Sequence, residues 1–108
     1  MSILVGLYAP TGRIDNSSAS ACEREVAALL ESGKTSLVLD LSQVSYLSSA
    51  GLRVLLIAAK GCKAKGGSAM VAGPQGPVLE VLKMSGFDRL LGVASDRESA
   101  FAALQTPH

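Results

Sequence analysis

Apolar positions along this chain switch between a strand period and a helix period, with glycine, proline and serine at the joins. Ile3 to Ala9 is an apolar, β-prone run that stops at the breakers Pro10 and Gly12. Asp15, Asn16, Ser17 and Ser18 form a cluster suited to starting a helix, and Cys22, Val26, Leu29 and Leu30 recur behind it at helical spacing. Ser20 and Glu23 have capping-box spacing, so the first turn begins somewhere between Asn16 and Ser20, and Gly33 closes the helix. Ser36 to Leu41 carries Leu37, Val38 and Leu39 in succession, the pattern of a short strand covered on both faces.

Val44 to Leu47 leads into Ser48-Ser49-Ala50-Gly51, after which helical spacing predicts a second helix to about Lys65. Its first half is apolar almost all round, broken only by Arg53, and so requires cover from more than one layer or from a partner. Its second half turns polar at Lys60, Lys63 and Lys65, and Gly66-Gly67 ends it. Ser68 to Ala72 predicts another strand. Gly73 to Pro77 is a loop, with Pro77 placed for the first turn of a third helix over Val78 to Met84 that Gly86 stops. Leu90 to Ala94 predicts a weaker strand, and Ser95 with Glu98 is a capping box opening a last helix through Leu104. The alternation argues for an α/β domain with a mostly parallel or mixed sheet of about four strands and four helices, its topology limited by right-handed crossovers. The 108 residues suit one domain with its core from 3 to 104, leaving 105–108 as a flexible tail.

Composition narrows the class. Nearly half the chain (48%) is apolar, so a core can form without disulfides or metal, and with no Trp it must be built from Leu, Val, Ile and Ala. The ten basic and nine acidic residues are scattered, which offers no footprint for nucleic acid or an anionic membrane. Cys22 and Cys62 lie far apart within helical patterns and read as buried small hydrophobes in a reducing compartment. The longest apolar run in the second helix, Val54 to Ala59, is far too short to span a bilayer, and no leader precedes the first strand, which points to a cytoplasmic protein.

Catalytic chemistry is not supported. The single His is terminal, at His108, and cannot serve a Ser-His pair or complete a metal site. Ser49 has Gly51 after it but Leu47 before it, so the nucleophile-elbow spacing is broken. The loop from Gly73 to Pro77 lacks the Lys-Ser/Thr pair of a phosphate-binding loop, and proline removes backbone donors from it. No close carboxylate pair suggests acid–base work. Neither a cofactor nor a metal is expected.

The stretch from Val38 to Leu56, VLDLSQVSYLSSAGLRVLL, resembles the signature of STAS domains, where an apolar strand leads through a loop to a Ser or Thr just before a Gly-Leu pair and a helix. Gly12-Arg13-Ile14-Asp15 resembles the Gly-x-aliphatic-Asp at the end of the family's first core strand. Met84-Ser85-Gly86-Phe87, Leu90-Leu91 and the final helix with Ala100 and Leu104 supply a third match, and all three fall in register. The likeness is closest to the anti-sigma factor antagonists. Family domains carry an extra edge strand before that core strand; with eleven residues ahead of Gly12, the resemblance implies that it is shortened or missing here. An uncovered sheet edge would bear on oligomeric state, expected to be monomer or weak dimer.

By that resemblance the regulatory phosphoserine falls on Ser49, which keeps the family distance to Gly51. Ser48 stands where Asp is usual and Ala50 where a second hydroxyl is usual, so Ser48 competes for the same role. A serine at a helix start meets unpaired backbone donors and the positive end of the dipole, so a phosphate there would be held locally while its charge faced a docked partner. From position alone a plain N-cap is the commoner explanation of a serine at this place, and it is the resemblance that reverses the preference. The resemblance makes Asp15, Ser48, Ser49, Ala50, Gly51, Leu52 and Arg53 the expected partner-binding surface. Asp15 is equally readable as a turn or cap residue, Arg53 most simply as a solvated helix position, and Gly51 as a close-packing residue. The implied function is that of an anti-sigma factor antagonist in a partner-switching pathway. Unphosphorylated, it would bind a serine-kinase anti-sigma factor; phosphorylation at Ser49 would release it and a serine phosphatase would reset it. The alternative is a constitutive STAS subunit regulating a lipid-transport ATPase or building a larger signalling assembly, and a less favoured third is a small enzyme or carrier domain with Ser49 as a transient phosphoryl acceptor.

Overall fold

The computed structural model describes residues 4–105. Along the chain run β1 (Val5–Tyr8), β2 (Gly12–Ile14), α1 (Ala19–Glu31), β3 (Ser36–Asp40), β4 (Val44–Leu47), α2 (Ser49–Ala64), β5 (Ala69–Ala72), α3 (Gly76–Ser85), α4 (Phe87–Leu91), β6 (Val93–Ala94) and α5 (Arg97–Gln105). A four-stranded parallel sheet has the order β1-β3-β5-β6, and a separate two-stranded parallel ribbon joins β2 to β4. The class is the expected one: a single α/β domain on a parallel sheet, with five helices rather than four.

β3 is central because every one of its residues is buried. Alternation sends Leu37 and Leu39 to the larger core, with Val26 and Leu30 of α1, Val54, Leu55 and Ala58 of α2, and Val78 and Leu82 of α3. Val38 points the other way and meets Ala72, Ala100 and Leu104 beneath α5. The apolar circumference of α2 is accounted for by this layering. α1 lies along one flank, the sheet lies beneath, and Leu56 and Ile57 remain half-buried. Cys22 and Cys62 are buried free thiols, and burial pushes the Cys62 thiol up to about 11.

Several boundaries differ from the sequence reading, each for a physical reason. Gly12–Ile14 is not the end of the first strand but a strand of its own. The chain leaves the main sheet after Tyr8 and pairs with β4, with a register irregularity between Gly12 and Arg13. β1 is the first strand among the described residues and forms an edge of the sheet; Ile3, placed in that strand from sequence, lies outside them. Leu90 and Leu91 do not open a strand. Gly86, with φ of +79°, ends α3 in the left-handed region and lets the chain re-enter a helix at Phe87. Leu91 is thereby buried and Leu90 exposed, and only Val93–Ala94 remains for β6. Ser20 does not cap α1, which begins at Ala19. The last helix is capped by Asp96 rather than Ser95: its Oδ1 accepts the Ser99 N–H at 2.7 Å. α5 takes in Gln105, while 106–108, including His108, lie outside the described residues.

Candidate functional site

The candidate site is the start of α2 and the ribbon beside it. Ser48 is the N-cap, with extended backbone (φ −91°), and its hydroxyl is committed on both sides. It accepts the Gly51 N–H at 3.3 Å and donates to the Ile14 carbonyl at 3.2 Å, a carbonyl that also accepts the Ser48 N–H at 3.0 Å. Ser49, the first residue of the helix, is exposed, and its hydroxyl has no partner among the described residues. No acidic residue stands in the first turn of α2 itself, so the helix supplies no negative charge of its own at its positive end.

Gly51 fixes the geometry from below. A Cβ at this position would lie 2.5 Å from Leu47 Cδ1 and 2.8 Å from the Ile14 carbonyl oxygen, so only glycine lets α2 sit this close to β2. Ala50 and Leu52 are half-buried and pack against the core. Arg53 is outward, its side chain 75% exposed, with its Nε 3.9 Å from Glu23 Oε1 on α1.

Asp15 follows Ile14, so the Ser48–Ile14 bonds set it beside the same helix start. Its carboxylate organises a turn: Oδ1 accepts the Ser17 hydroxyl at 2.6 Å and the Ser17 N–H at 2.9 Å, and Oδ2 faces Arg13 Nε at 3.5 Å. The Ser17 bonds first, and Arg13 second, hold its carboxyl below the usual range, leaving it ionised at neutral pH. The structure therefore brings together the residues singled out from sequence, with Ser48 and Gly51 as the frame and Ser49 and Arg53 as the outward positions.

Two residues at this surface were not singled out. Tyr46 is 42% exposed, and the Arg13 guanidinium lies 4.2 Å from its ring centroid, a cation–π stack on the edge of the ribbon. Strict strand alternation would put Tyr46 on the inward face with Val44. The irregular pairing of β2 with β4 turns it out instead. Among the described residues, no group of three or more His, Cys, Asp and Glu could hold a metal, and no helix is long and apolar enough to cross a membrane.

Comparison with known proteins places this geometry in a family. The sequence model of the STAS domain matches residues 3–100, and the chain belongs to the STAS-domain family. It is 39% identical over 95 residues to BtrV of Bordetella bronchiseptica, a candidate anti-sigma factor antagonist, covering 88% of this chain and 82% of that protein. An anti-sigma factor antagonist candidate from Thermotoga maritima superposes with a TM-score of 0.86 at 22% identity, covering 93% of this chain and 86% of the other. The anti-sigma factor antagonist SpoIIAA in its unphosphorylated form gives a TM-score of 0.79 at 15% identity, covering 100% and 96%. A phosphorylated form of SpoIIAA, from Bacillus, gives 0.68 at 16% identity, covering 90% and 88%. At these identities the structural likenesses speak for the fold.

Proposed function

We propose that this chain is an anti-sigma factor antagonist that binds a serine-kinase anti-sigma factor when unphosphorylated and is released when the kinase phosphorylates Ser49. The observation that carries the reading is the division of labour at the start of α2. The Ser48 hydroxyl is held in two hydrogen bonds within the fold, while the Ser49 hydroxyl is exposed and uncommitted. A kinase can reach the second without breaking the helix cap. BtrV, the relative with 39% identity, supports the antagonist assignment. In this reading the chain is the substrate of the kinase and of a resetting serine phosphatase, works in the cytoplasm, and is not itself an enzyme.

A phosphate on Ser49 would sit where first-turn N–H groups lack intrahelical acceptors and the helix dipole favours negative charge, so the fold tolerates it. The same charge of about −2 would oppose any partner surface built against a neutral hydroxyl. Asp15, the exposed Tyr46 and the Ser49–Arg53 turn would form that docking face. Incubation with the cognate kinase and ATP, followed by peptide mapping, tests the assignment. Phosphate on Ser49 is expected; phosphate found only on Ser48, Ser17 or Ser18 would reject it.

A further inference from the structure

Ser49 and Arg53 stand four residues apart on α2 and so share one face, a turn apart. Long side chains on a helix lean toward its N-terminus, which carries the guanidinium at position 53 back over position 49. In the unmodified chain that guanidinium is loosely engaged. Its distance to the Glu23 carboxylate is 3.9 Å, a long contact, with the Arg53 end 75% exposed and the Glu23 end half-buried at 33%. A pair of this kind contributes little and is readily exchanged. Arg13, on the neighbouring ribbon, is by contrast already stacked on Tyr46 and paired with Asp15.

We propose that phosphorylation of Ser49 draws Arg53 away from Glu23 and onto the phosphate, so that one modification also breaks the ion pair between α1 and α2. The inference rests on Ser49 as the phosphoacceptor and adds a residue to the switch. Charge and shape decide the exchange. The phosphate brings about −2 and three strong acceptor oxygens against a single −1 on the carboxylate. A guanidinium fork matches phosphate oxygens in bidentate fashion. No acidic side chain of the first turn competes for it. The exposed surface then changes at two places: a dianion appears at position 49, partly neutralised by Arg53, and the Glu23 carboxylate on α1 is left without its cation. A partner that read the Arg53–Glu23 pair would lose it at the moment the charge at Ser49 arrives.

The test uses the full chain carrying phosphoserine at position 49, introduced by site-specific incorporation, with no partner present. Phosphorus NMR titration reads the second pKa of the phosphate, ordinarily about 6. Arg53→Gln is expected to raise that pKa by about 0.3 unit, the size of an exposed helical pair one turn apart. The Arg53 Nε–Hε resonance of the parent should shift with the same midpoint as the phosphate. Position 53 is exposed, and circular dichroism checks that the variant keeps its fold. A phosphate that titrates at the same pH in the parent and in Arg53→Gln overturns the proposal. Because no kinase takes part, that result is independent of whether Ser49 is the physiological acceptor, which the kinase assay decides.

Discussion

Ser48 binds the Ile14 carbonyl and the Gly51 N–H, whereas the Ser49 hydroxyl, one residue on, is turned to solvent. The two serines should therefore fail in opposite ways. Ser48→Ala removes a cap and is expected to cost about 1 kcal/mol of stability in thermal or denaturant unfolding. Ser49→Asp should leave the melting temperature almost unchanged or slightly raised, since a carboxylate at this end of a helix is favourable by about 0.3–1 kcal/mol. It should weaken the partner, by more than a hundredfold if the buried charge costs about 3 kcal/mol, as calorimetric titration would read. Ser49→Ala should bind as the parent does yet resist the kinase. Gly51→Ala tests the frame: with the Leu47 side chain and the Ile14 carbonyl in the way, it should destabilise by about 1–3 kcal/mol. The sequence alone left Ser48 and Ser49 in competition, because spacing to Gly51 cannot say which hydroxyl folds inward. The Ile14 carbonyl that separates them arrives from 34 residues away.

At the scale of elements, α5 is tied to the sheet by a buried charge. Asp40, at the end of β3, is 6% exposed; it accepts Arg97 Nη2 at 2.7 Å and Nε at 2.8 Å, and the Ser42 N–H at 2.9 Å. Burial pushes its carboxyl up, but the Ser42 bonds and the Arg97 guanidinium outweigh that and hold it below the usual range. A folded pKa lowered below the unfolded value gives stability that is present above the unfolded pKa, near 3.9, and is lost as pH falls through the folded one. Arg97→Ala should cost about 2 kcal/mol at neutral pH and bring on acid unfolding at a higher pH, measurable by circular dichroism across a pH series. Long periodic elements were legible: the buried run of β3, the apolar stripe of α1 and the extent of α2 all follow from residue pattern. The short ones were not. β2, α4 and β6 have three, five and two residues, too few for either period to register, and their form is set by Gly86, Gly92 and the pairing of β2 with β4. Ser95 and Asp96 are both good caps, so residue type alone does not say which opens α5, whereas the Asp96–Ser99 bond does.

Over the whole molecule, the two cores on either side of β3 make a packed platform, and the ribbon and the start of α2 lie together at one corner of it. Among the described residues the edges of the main sheet are short, four residues in β1 and two in β6, which offers little backbone for edge pairing. Sedimentation at micromolar concentration should give a monomer. STAS membership was legible because its three motifs depend on spacing that survives in the chain, whereas the Arg13–Tyr46 stack depends on a register irregularity that residue pattern does not encode. The central claim is that charge at Ser49 switches a partner on this platform. The most direct test is calorimetric titration of the proposed partner, a serine-kinase anti-sigma factor, with the unmodified chain and with the chain phosphorylated at Ser49. A loss of affinity of at least about a hundredfold on phosphorylation, with both forms folded, is the predicted result; equal affinities would contradict the account.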